Sequence, residues 1–299
     1  MNGTLDYAEL RTLPTLHGRN DTRIDQSDLH APVREGSCRP YLAIKDVCIS
    51  FGSNQVLDHV SFQVMPGQTV CILGRSGVGK SVCLRILMGF LKPDAGRVIA
   101  ACEDITHYSE EQLRRIHERV TMVFQNGALF DSLTVWENVA FPLRERGAHD
   151  EKQISVVVDE FLEMAGAKPI AGLLPSQIST GNKRSVAIAR ALAAKPRAVL
   201  FDEPTTMVDP LMARRLGGLI EKLKLQLKLT SVVVTHDMRL AERLADHVVF
   251  LDQGKVIFYG TPSEMDRSHE RIVRQFLQLD RIDLRALAGS IDHPQRMLG

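Results

Sequence analysis

The chain has 299 residues, of which 44% are hydrophobic and 24% charged, and its formal net charge is +1. A chain of this length buries roughly 75% of its unfolded surface, so it needs no disulfide or metal staples. Because the charges balance, the net charge does not indicate binding to nucleic acid or to an anionic bilayer. No apolar run reaches the roughly 20 residues of a membrane span. The five scattered cysteines include no C-x-x-C pair, which indicates reduced thiols. We expect a cytosolic chain that binds no nucleic acid and reaches membranes only through partners.

The first third of the chain combines a polar extension with apolar strands. Residues 1–38 have few large apolar side chains, which predicts disorder. Between residues 42 and 64, half-apolar strands flank a Gly-Ser-Asn turn. Residues 68–74 (QTVCILG) are continuously apolar, as in a strand covered by helices on both faces. The helix that follows carries apolar positions as far as Leu91 and is predicted to end before Pro93.

The middle of the chain is predicted to be mostly helical. Ser-x-x-Gln at residues 109–112 and Thr-x-x-Glu at residues 134–137 are capping boxes that open helices on either side of a strand at 120–124. Short basic pairs such as Lys183-Arg184 are interpreted as solvated helix faces. The apolar positions of one helical face are Ile154, Val157, Val158, Phe161 and Leu162.

The last third returns to strands. Apolar runs at residues 198–201, 231–234 and 248–251 predict strands, and the last forms a hairpin with residues 255–258. Strands alternate with helices except in an all-helical insertion of about 60 residues. This order predicts an α/β fold with a mainly parallel sheet, helices on both of its faces and a helical lobe.

Residues 74–81 (GRSGVGKS) match the phosphate-binding pattern G-x-x-x-x-G-K-[ST] between a strand and a helix. Its glycines allow successive backbone N–H groups to surround a phosphate at a helix N-terminus. Lys80 is expected to reach the β- and γ-phosphates, and Ser81 is expected to bind Mg²⁺. A chance glycine-rich turn is the alternative. The residues expected to bind the nucleotide here are Gly74, Ser76, Gly77, Gly79, Lys80 and Ser81.

Acidic and polar side chains follow the other predicted strands. Asp202 and Glu203 end the strand AVLFDEP, where α/β sheets bind ligands. Asp202 is expected to hold Mg²⁺ through water, and Glu203 to orient or deprotonate the attacking water. Gln125 could contact Mg²⁺ and His236 the γ-phosphate, although acids, Gln and His at strand ends are often structural. Together with the phosphate loop they favour nucleotide hydrolysis.

The order of these features over residues 40–265 resembles the nucleotide-binding subunit of an ABC transporter. The resemblance implies a P-loop NTPase (ABC ATPase) fold with an N-terminal antiparallel β subdomain, a mainly parallel sheet and an inserted α-helical subdomain. It implies an ABC ATPase domain at residues 39–262, with the helical subdomain at about 126–190, and a helical tail at 263–299.

The family also implies roles for individual residues, with ATP and Mg²⁺ as ligands. Phe51 matches the aromatic residue that stacks on adenine, Gln125 the Q-loop, and Asp209 the D-loop. His236 matches the switch histidine. On this reading Glu203, His236 and Gln125 are catalytic, and Gln125 joins Ser81 and Asp202 at the metal.

Residues 178–182 (ISTGN) stand where the family has its signature, usually L-S-G-G-Q. Ser179 offers a hydroxyl and Gly181 a backbone N–H, both suited to a γ-phosphate. Thr180 replaces a glycine and Asn182 a glutamine. Because a β-branched residue resists positive φ, we expect Thr180 to hinder close approach without abolishing function. A polar turn that only precedes a helix is the alternative.

In the family the signature faces the nucleotide held by the partner's phosphate loop. With one loop and one signature, this chain is expected to form a homodimer with two equivalent ATP sites. ATP would close the dimer, and hydrolysis would reopen it.

Residues 124–145 and 271–280 resemble the Mla/Mce-type lipid-transport ATPases. The resemblance implies a permease docked in a groove near Gln125–Arg144, an Mce-domain substrate-binding protein in the same complex, and a position on the cytoplasmic face of the bacterial inner membrane. A small-solute importer ATPase would share every catalytic residue. A soluble ABC protein of translation or repair, and a phosphate-loop kinase, are further alternatives. The aromatic and apolar side chains expected to line the groove are Phe130, Leu133, Val135, Trp136 and Phe141.

Overall fold

The computed structural model of the protein describes residues 40–147 and 150–279. The predicted disorder of residues 1–38 and the last part of the tail fall outside these ranges. Within the described ranges, no helix is both long and apolar enough to pass through a bilayer.

The described chain forms two sheets and the helices that cover them. The strands are β1 (Leu42–Phe51), β2 (Asn54–Val64), β3 (Thr69–Leu73), β4 (Ala95–Ala100), β5 (Glu103–Asp104), β6 (Val120–Val123), β7 (Ala198–Asp202), β8 (Thr230–Val234), β9 (His247–Asp252) and β10 (Lys255–Gly260). The helices are α1 (Lys80–Leu87), α2 (Glu110–His117), α3 (Val135–Glu145), α4 (Glu151–Met164), α5 (Thr180–Ala193), α6 (Pro210–Leu227), α7 (Met238–Leu244), α8 (Pro262–Asp266) and α9 (residues 271–279).

The larger sheet has six strands in the order β10-β9-β3-β8-β7-β6, and every neighbouring pair except β9–β10 is parallel. The smaller sheet, β2-β1-β4-β5, is antiparallel. The predicted fold class, with an N-terminal antiparallel β subdomain beside a mainly parallel sheet, is therefore confirmed.

Strand β3 lies at the centre of the larger sheet, and all five of its residues are buried. Its alternate side chains enter different cores. Cys71 and Leu73 join the cluster formed with the helical subdomain and the C-terminal helices, whereas Val70 and Ile72 join the cluster beneath the antiparallel sheet. This period of two is expected of a strand that is covered on both faces.

Helix α1 is shorter than the sequence predicted. It ends at Leu87, and Gly89 adopts a left-handed φ of 73°. A Cβ added at Gly89 would lie 2.6 Å from Leu113 Cδ2 of helix α2, so the close approach of α2 requires a glycine there. Gly89 N–H donates to the Ile86 carbonyl and Phe90 N–H donates to the Arg85 carbonyl, so a Schellman motif with Gly89 at C′ ends the helix before Pro93.

The helical subdomain consists of α3, α4 and most of α5. The two predicted capping boxes are present, and all five apolar positions predicted on α4 are buried. Asn138 is fully buried on α3, where Nδ2 donates to the carbonyls of Phe130, Leu133 and Thr134 and Oδ1 accepts from Phe130 N–H. This side chain fixes the segment that leads from Gln125 into the subdomain.

Helix α9 packs on its own domain. Val273 is fully buried, Leu277 is nearly so, and the Phe276 ring meets Phe250 of β9 edge-on at 5.1 Å between centroids. The apolar face of this helix therefore contributes to the core of the same chain.

Candidate nucleotide-binding site

The phosphate loop begins where β3 ends. Gly74 has φ 144°, and a Cβ there would lie 2.2 Å from the carbonyl oxygen of Leu251. Gly79 has φ 103°, and its Cβ would lie 2.6 Å from Leu57 Cδ2. Both positions need glycine for conformation and for space, which explains the fixed glycines of the motif.

Lys80 is buried inside its own loop. Its Nζ donates to the carbonyl oxygens of Gly74 at 2.9 Å and Arg75 at 3.0 Å, and it lies 3.6 Å from Glu203 Oε1. A buried ammonium held by neutral carbonyls and one carboxylate favours the arrival of a phosphate, which supplies more negative charge.

Ser81 joins the phosphate loop to the end of β7. Its hydroxyl donates to Asp202 Oδ1 at 2.7 Å. Burial raises the pKa of Asp202, and this hydrogen bond opposes the shift. A hydroxyl and a carboxylate in direct contact are oxygen ligands of the kind that Mg²⁺ prefers, so the residues present fit that ion.

Glu203 is held by the groups around it. Its Oε2 accepts from Thr206 Oγ1 at 2.8 Å and lies 2.9 Å from His236 Nδ1. Burial raises the pKa of Glu203, but the hydrogen bonds from His236 and Thr206 outweigh it and hold the pKa below its usual range. The same contact with Glu203 raises the pKa of His236. A deprotonated carboxylate beside a phosphate loop suits the orientation of water.

A cavity of about 310 Å³ brings these groups together. Gln125 is exposed and lines it, as does Val56 of β2, which the sequence did not indicate. Phe51 is half-exposed on β1 and is not among the lining residues. The lining residues are Val56, Ser76, Gly77, Gly79, Lys80, Ser81, Val82, Gln125, Glu203, Thr206 and His236.

The signature stretch opens helix α5. Ser179 is the N-cap and its hydroxyl accepts from Asn182 N–H at 3.2 Å. Thr180 is the first helical residue and does not have positive φ, so the left-handed backbone assumed for this residue is wrong, and its effect on close approach stays a prediction. Residues 178–182 do not line the cavity of their own chain. A helix does start here, as the alternative of a polar turn before a helix also requires. Ser179 at its N-cap is exposed.

Gly181 packs against helix α6. It is buried, and a Cβ there would lie 2.3 Å from Met212 Cγ. Asp209 is the N-cap of α6, exposed, and its Oδ1 accepts from Met212 N–H at 2.9 Å. The signature and the D-loop are therefore neighbours within one chain.

Sequence reasoning missed two residues that contact Glu203. Thr206 follows it by three positions, a spacing at which a hydroxyl can reach back to a carboxylate. Arg184 was interpreted as part of a solvated face, but it is buried and donates to the main-chain carbonyls of Glu203 and Pro204. No sequence signal identifies Arg184, because its partners are backbone atoms of a distant segment.

A second cluster of polar side chains lies on the antiparallel sheet. Cys48 Sγ, an Asp58 carboxylate oxygen and a His59 ring nitrogen lie within 4.8 Å of one another. Each group already has a partner: Sγ accepts from His59 N–H, Asp58 pairs with Lys255 at 3.0 Å, and His59 Nδ1 contacts Asp46 at 2.7 Å. These contacts explain why the three side chains lie together: they stabilise the irregular pairing of β1 with β2.

The comparisons with known proteins agree with the family that these motifs indicate. Residues 57–206 match the family model described as ABC transporter. The chain belongs to this family. It is therefore an ATP-binding subunit of a transporter, and it hydrolyses ATP.

Three relatives show the range within the family. The intermembrane phospholipid transport system ATP-binding protein MlaF of Haemophilus influenzae is 36% identical over 79% of this chain and 90% of its own length. The methionine import ATP-binding protein MetN of Brucella abortus is 38% identical over 74% of this chain and 60% of its own. A dimeric ATP-binding cassette solved in a post-hydrolysis state with ADP and phosphate has a TM-score of 0.69, at 31% identity over 74% of this chain and 98% of its own.

Proposed function

We propose that this ABC ATPase works as a homodimer with ATP held between the two copies, and that it drives phospholipid transport of the Mla/Mce type. The observation that carries the ATPase part of the proposal is the site at the edge of the parallel sheet. There, Lys80 and Ser81 of the phosphate loop contact Glu203 and Asp202 of β7 directly.

Within each chain the phosphate loop binds the triphosphate. Lys80 pairs with the β- and γ-phosphates, and the backbone N–H groups near the start of α1 complete the contacts. Ser81, Gln125 and Asp202 would hold Mg²⁺, which would supply neutralisation of phosphate charge. The other loop residues in contact with the phosphates are Gly74, Ser76, Gly77 and Gly79.

Glu203 orients the attacking water and accepts its proton, and its lowered pKa keeps it charged for this task. His236 Nδ1 lies 2.9 Å from Glu203 Oε2, and His236 contacts the γ-phosphate. Phe51, half-exposed on β1, stacks on adenine.

Two features support the dimer. The Ser179 hydroxyl and the N-terminus of α5 do not line the chain's own cavity, so a phosphate that they bind belongs to another copy. The solved cassette reported above is itself described as dimeric. Asp209 lies beside the signature and would contact the partner copy at the same interface. Nucleotide is then the bridge between the two copies.

An aromatic surface on the helical subdomain supports permease docking. Phe130 and Phe141 are 43% and 37% exposed, with ring centroids 4.6 Å apart, and Arg190 lies over Phe130. Val135, also expected in this groove, is fully buried and belongs to the core. Docking of a membrane permease at Phe130 and Phe141 places the chain on the cytoplasmic face of the inner membrane, with an Mce-domain protein in the same complex.

The lipid assignment rests on similarity, and an importer of small solutes is the second candidate. The phospholipid-system relative is covered over 90% of its length, whereas the methionine-import relative is covered over 60%. The difference in coverage favours the lipid class. Co-purification and the neighbouring genes distinguish the two: a permease with a single-span Mce-domain protein supports lipid transport, and a periplasmic solute-binding protein overturns it.

Glu203→Gln tests the site and the dimer together. Removing the carboxylate should cut turnover by about 10²–10⁴ while ATP still binds. Size-exclusion chromatography with Mg·ATP should then show the variant shifted to dimer and the wild type mostly monomeric. The matched control is Glu242→Gln, at an exposed acid of α7 distant in sequence from the loop, which should hydrolyse ATP at the wild-type rate. A Glu203→Gln variant that stays monomeric with ATP contradicts the dimer.

A further inference from the structure

Arg184 lies on helix α5, three residues after the buried Gly181 of the signature. It is only 4% exposed, and its guanidinium donates to the Glu203 carbonyl at 3.2 Å and the Pro204 carbonyl at 3.0 Å. Its Nε is buried without a hydrogen-bond partner. Burying a cation that leaves one donor unsatisfied costs free energy, so stabilisation of the fold alone is a poor account of this residue.

The backbone that Arg184 holds is strained. Glu203 has φ 48°, the left-handed region that a residue with a Cβ avoids. Such strain persists only where surrounding contacts fix it. Two charge-assisted hydrogen bonds to the carbonyls of Glu203 and Pro204 provide that fixation, and they hold the Glu203 side chain towards Lys80 and His236.

Helix α5 also connects to the other side of the cavity. Arg190, two turns further along, donates to the carbonyls of Ala128 at 2.8 Å and Gly127 at 3.1 Å, directly after Gln125. One helix that starts at Ser179 therefore holds the main chain beside both Gln125 and Glu203. A displacement of its N-terminus moves both segments, because a helix transmits displacement as a rigid element.

We propose that Arg184 is a positioning residue that links nucleotide contact at the signature of one site to the orientation of Glu203 in the other. The link rests on the homodimer proposed above, in which Ser179 and Gly181 touch the nucleotide of the partner copy. Binding there sets the position of α5, and through the Arg184 guanidinium it sets the Glu203–Pro204 peptide of the same chain. Each site then hydrolyses ATP fastest when both are filled.

The test compares Arg184→Met, which fills the buried space without donors, with Arg184→Lys, which keeps the charge on a single ammonium nitrogen but loses the planar guanidinium geometry. Steady-state ATPase should give kcat about 10- to 100-fold lower for Arg184→Met, as expected for losing charged hydrogen bonds, with KM changed less than about threefold. The Hill coefficient for ATP should fall towards one. Arg184→Lys should recover part of both kcat and the Hill coefficient.

Arg146→Met is the matched control, because Arg146 also donates to two main-chain carbonyls, those of Ala194 and Glu118, away from the cavity. It should leave kcat and the Hill coefficient at wild-type values. In the Glu203→Gln background, Arg184→Met should still form the ATP-dependent dimer. If the Glu203→Gln parent fails to dimerise, the homodimer itself is wrong; if only the double variant fails, Arg184 acts on dimer assembly and the link is wrong.

Three further results overturn the proposal. These are wild-type kcat in Arg184→Met, a lowered kcat with an unchanged Hill coefficient, and a loss of kcat that Arg146→Met shares. If Arg184→Met does not fold, Arg184→Lys decides by the same two measurements, since the shorter, non-planar ammonium cannot reproduce the guanidinium contacts and should still leave kcat below wild type.

Discussion

Gly181 offers the sharpest test of how the signature is packed. In a signature contacting nucleotide, a glycine at this position would be explained by close approach of the partner's phosphate. The structure gives a reason within one chain: a Cβ at residue 181 would lie 2.3 Å from Met212 Cγ and 2.9 Å from Met212 Cε. Gly181 has no positive φ, so alanine strains only the packing and not the backbone.

The expected magnitude follows from two opposing effects. Overpacking a core costs about 1–3 kcal/mol, and alanine gains at most about 1 kcal/mol over glycine in a helix, less in its first turn. We therefore expect Gly181→Ala to lower the free energy of unfolding by about 1–2 kcal/mol. In a Met212→Ala background the new methyl group enters vacated space, and the same substitution should be neutral or stabilising. The coupling between the two positions should be about 1–3 kcal/mol.

Urea unfolding of the four proteins in this cycle, at equal m-values, measures the coupling. Additivity within about 0.5 kcal/mol would show that Gly181 and Met212 do not clash and would refute the packing argument. ATPase measurements on the double variant add a second reading. Recovered stability with low activity would mean that the partner's nucleotide also needs the glycine.

The remaining predictions concern the helical subdomain and the pair at the cavity. Asn138→Leu removes four hydrogen bonds from a fully buried position and should lower the free energy of unfolding by about 2–4 kcal/mol. The control Gln153→Leu, at an exposed position of α4, should change the free energy of unfolding by less than about 0.5 kcal/mol. The raised pKa of His236 and the lowered pKa of Glu203 stabilise the fold most between about pH 4.3 and 6.5, and this stabilisation is lost as pH rises through the raised His236 pKa. His236→Gln should therefore lower the thermal midpoint more at pH 6 than at pH 9; an equal loss at both values contradicts the ion pair.

The sequence by itself determined the phosphate loop, the acids after β7, and the central strands. These features depend on residues close together in the chain, where the backbone needs of glycine, the two-residue period of a strand and the capping pairs act locally. Residues 69–73 and the capping boxes at Ser109 and Thr134 formed as predicted. The order of the motifs along the chain, which no single motif carries, indicated the family.

Tertiary structure alone decided which side chains meet across the chain. The burial of Arg184 and the contact of Gly181 with Met212 both join segments far apart in sequence. A helical pattern gives the face a residue occupies but not the element that covers it, so Arg184 resembled a solvated cation. Its partners are carbonyl groups, which every residue carries, and only the folded chain shows which ones turn towards it.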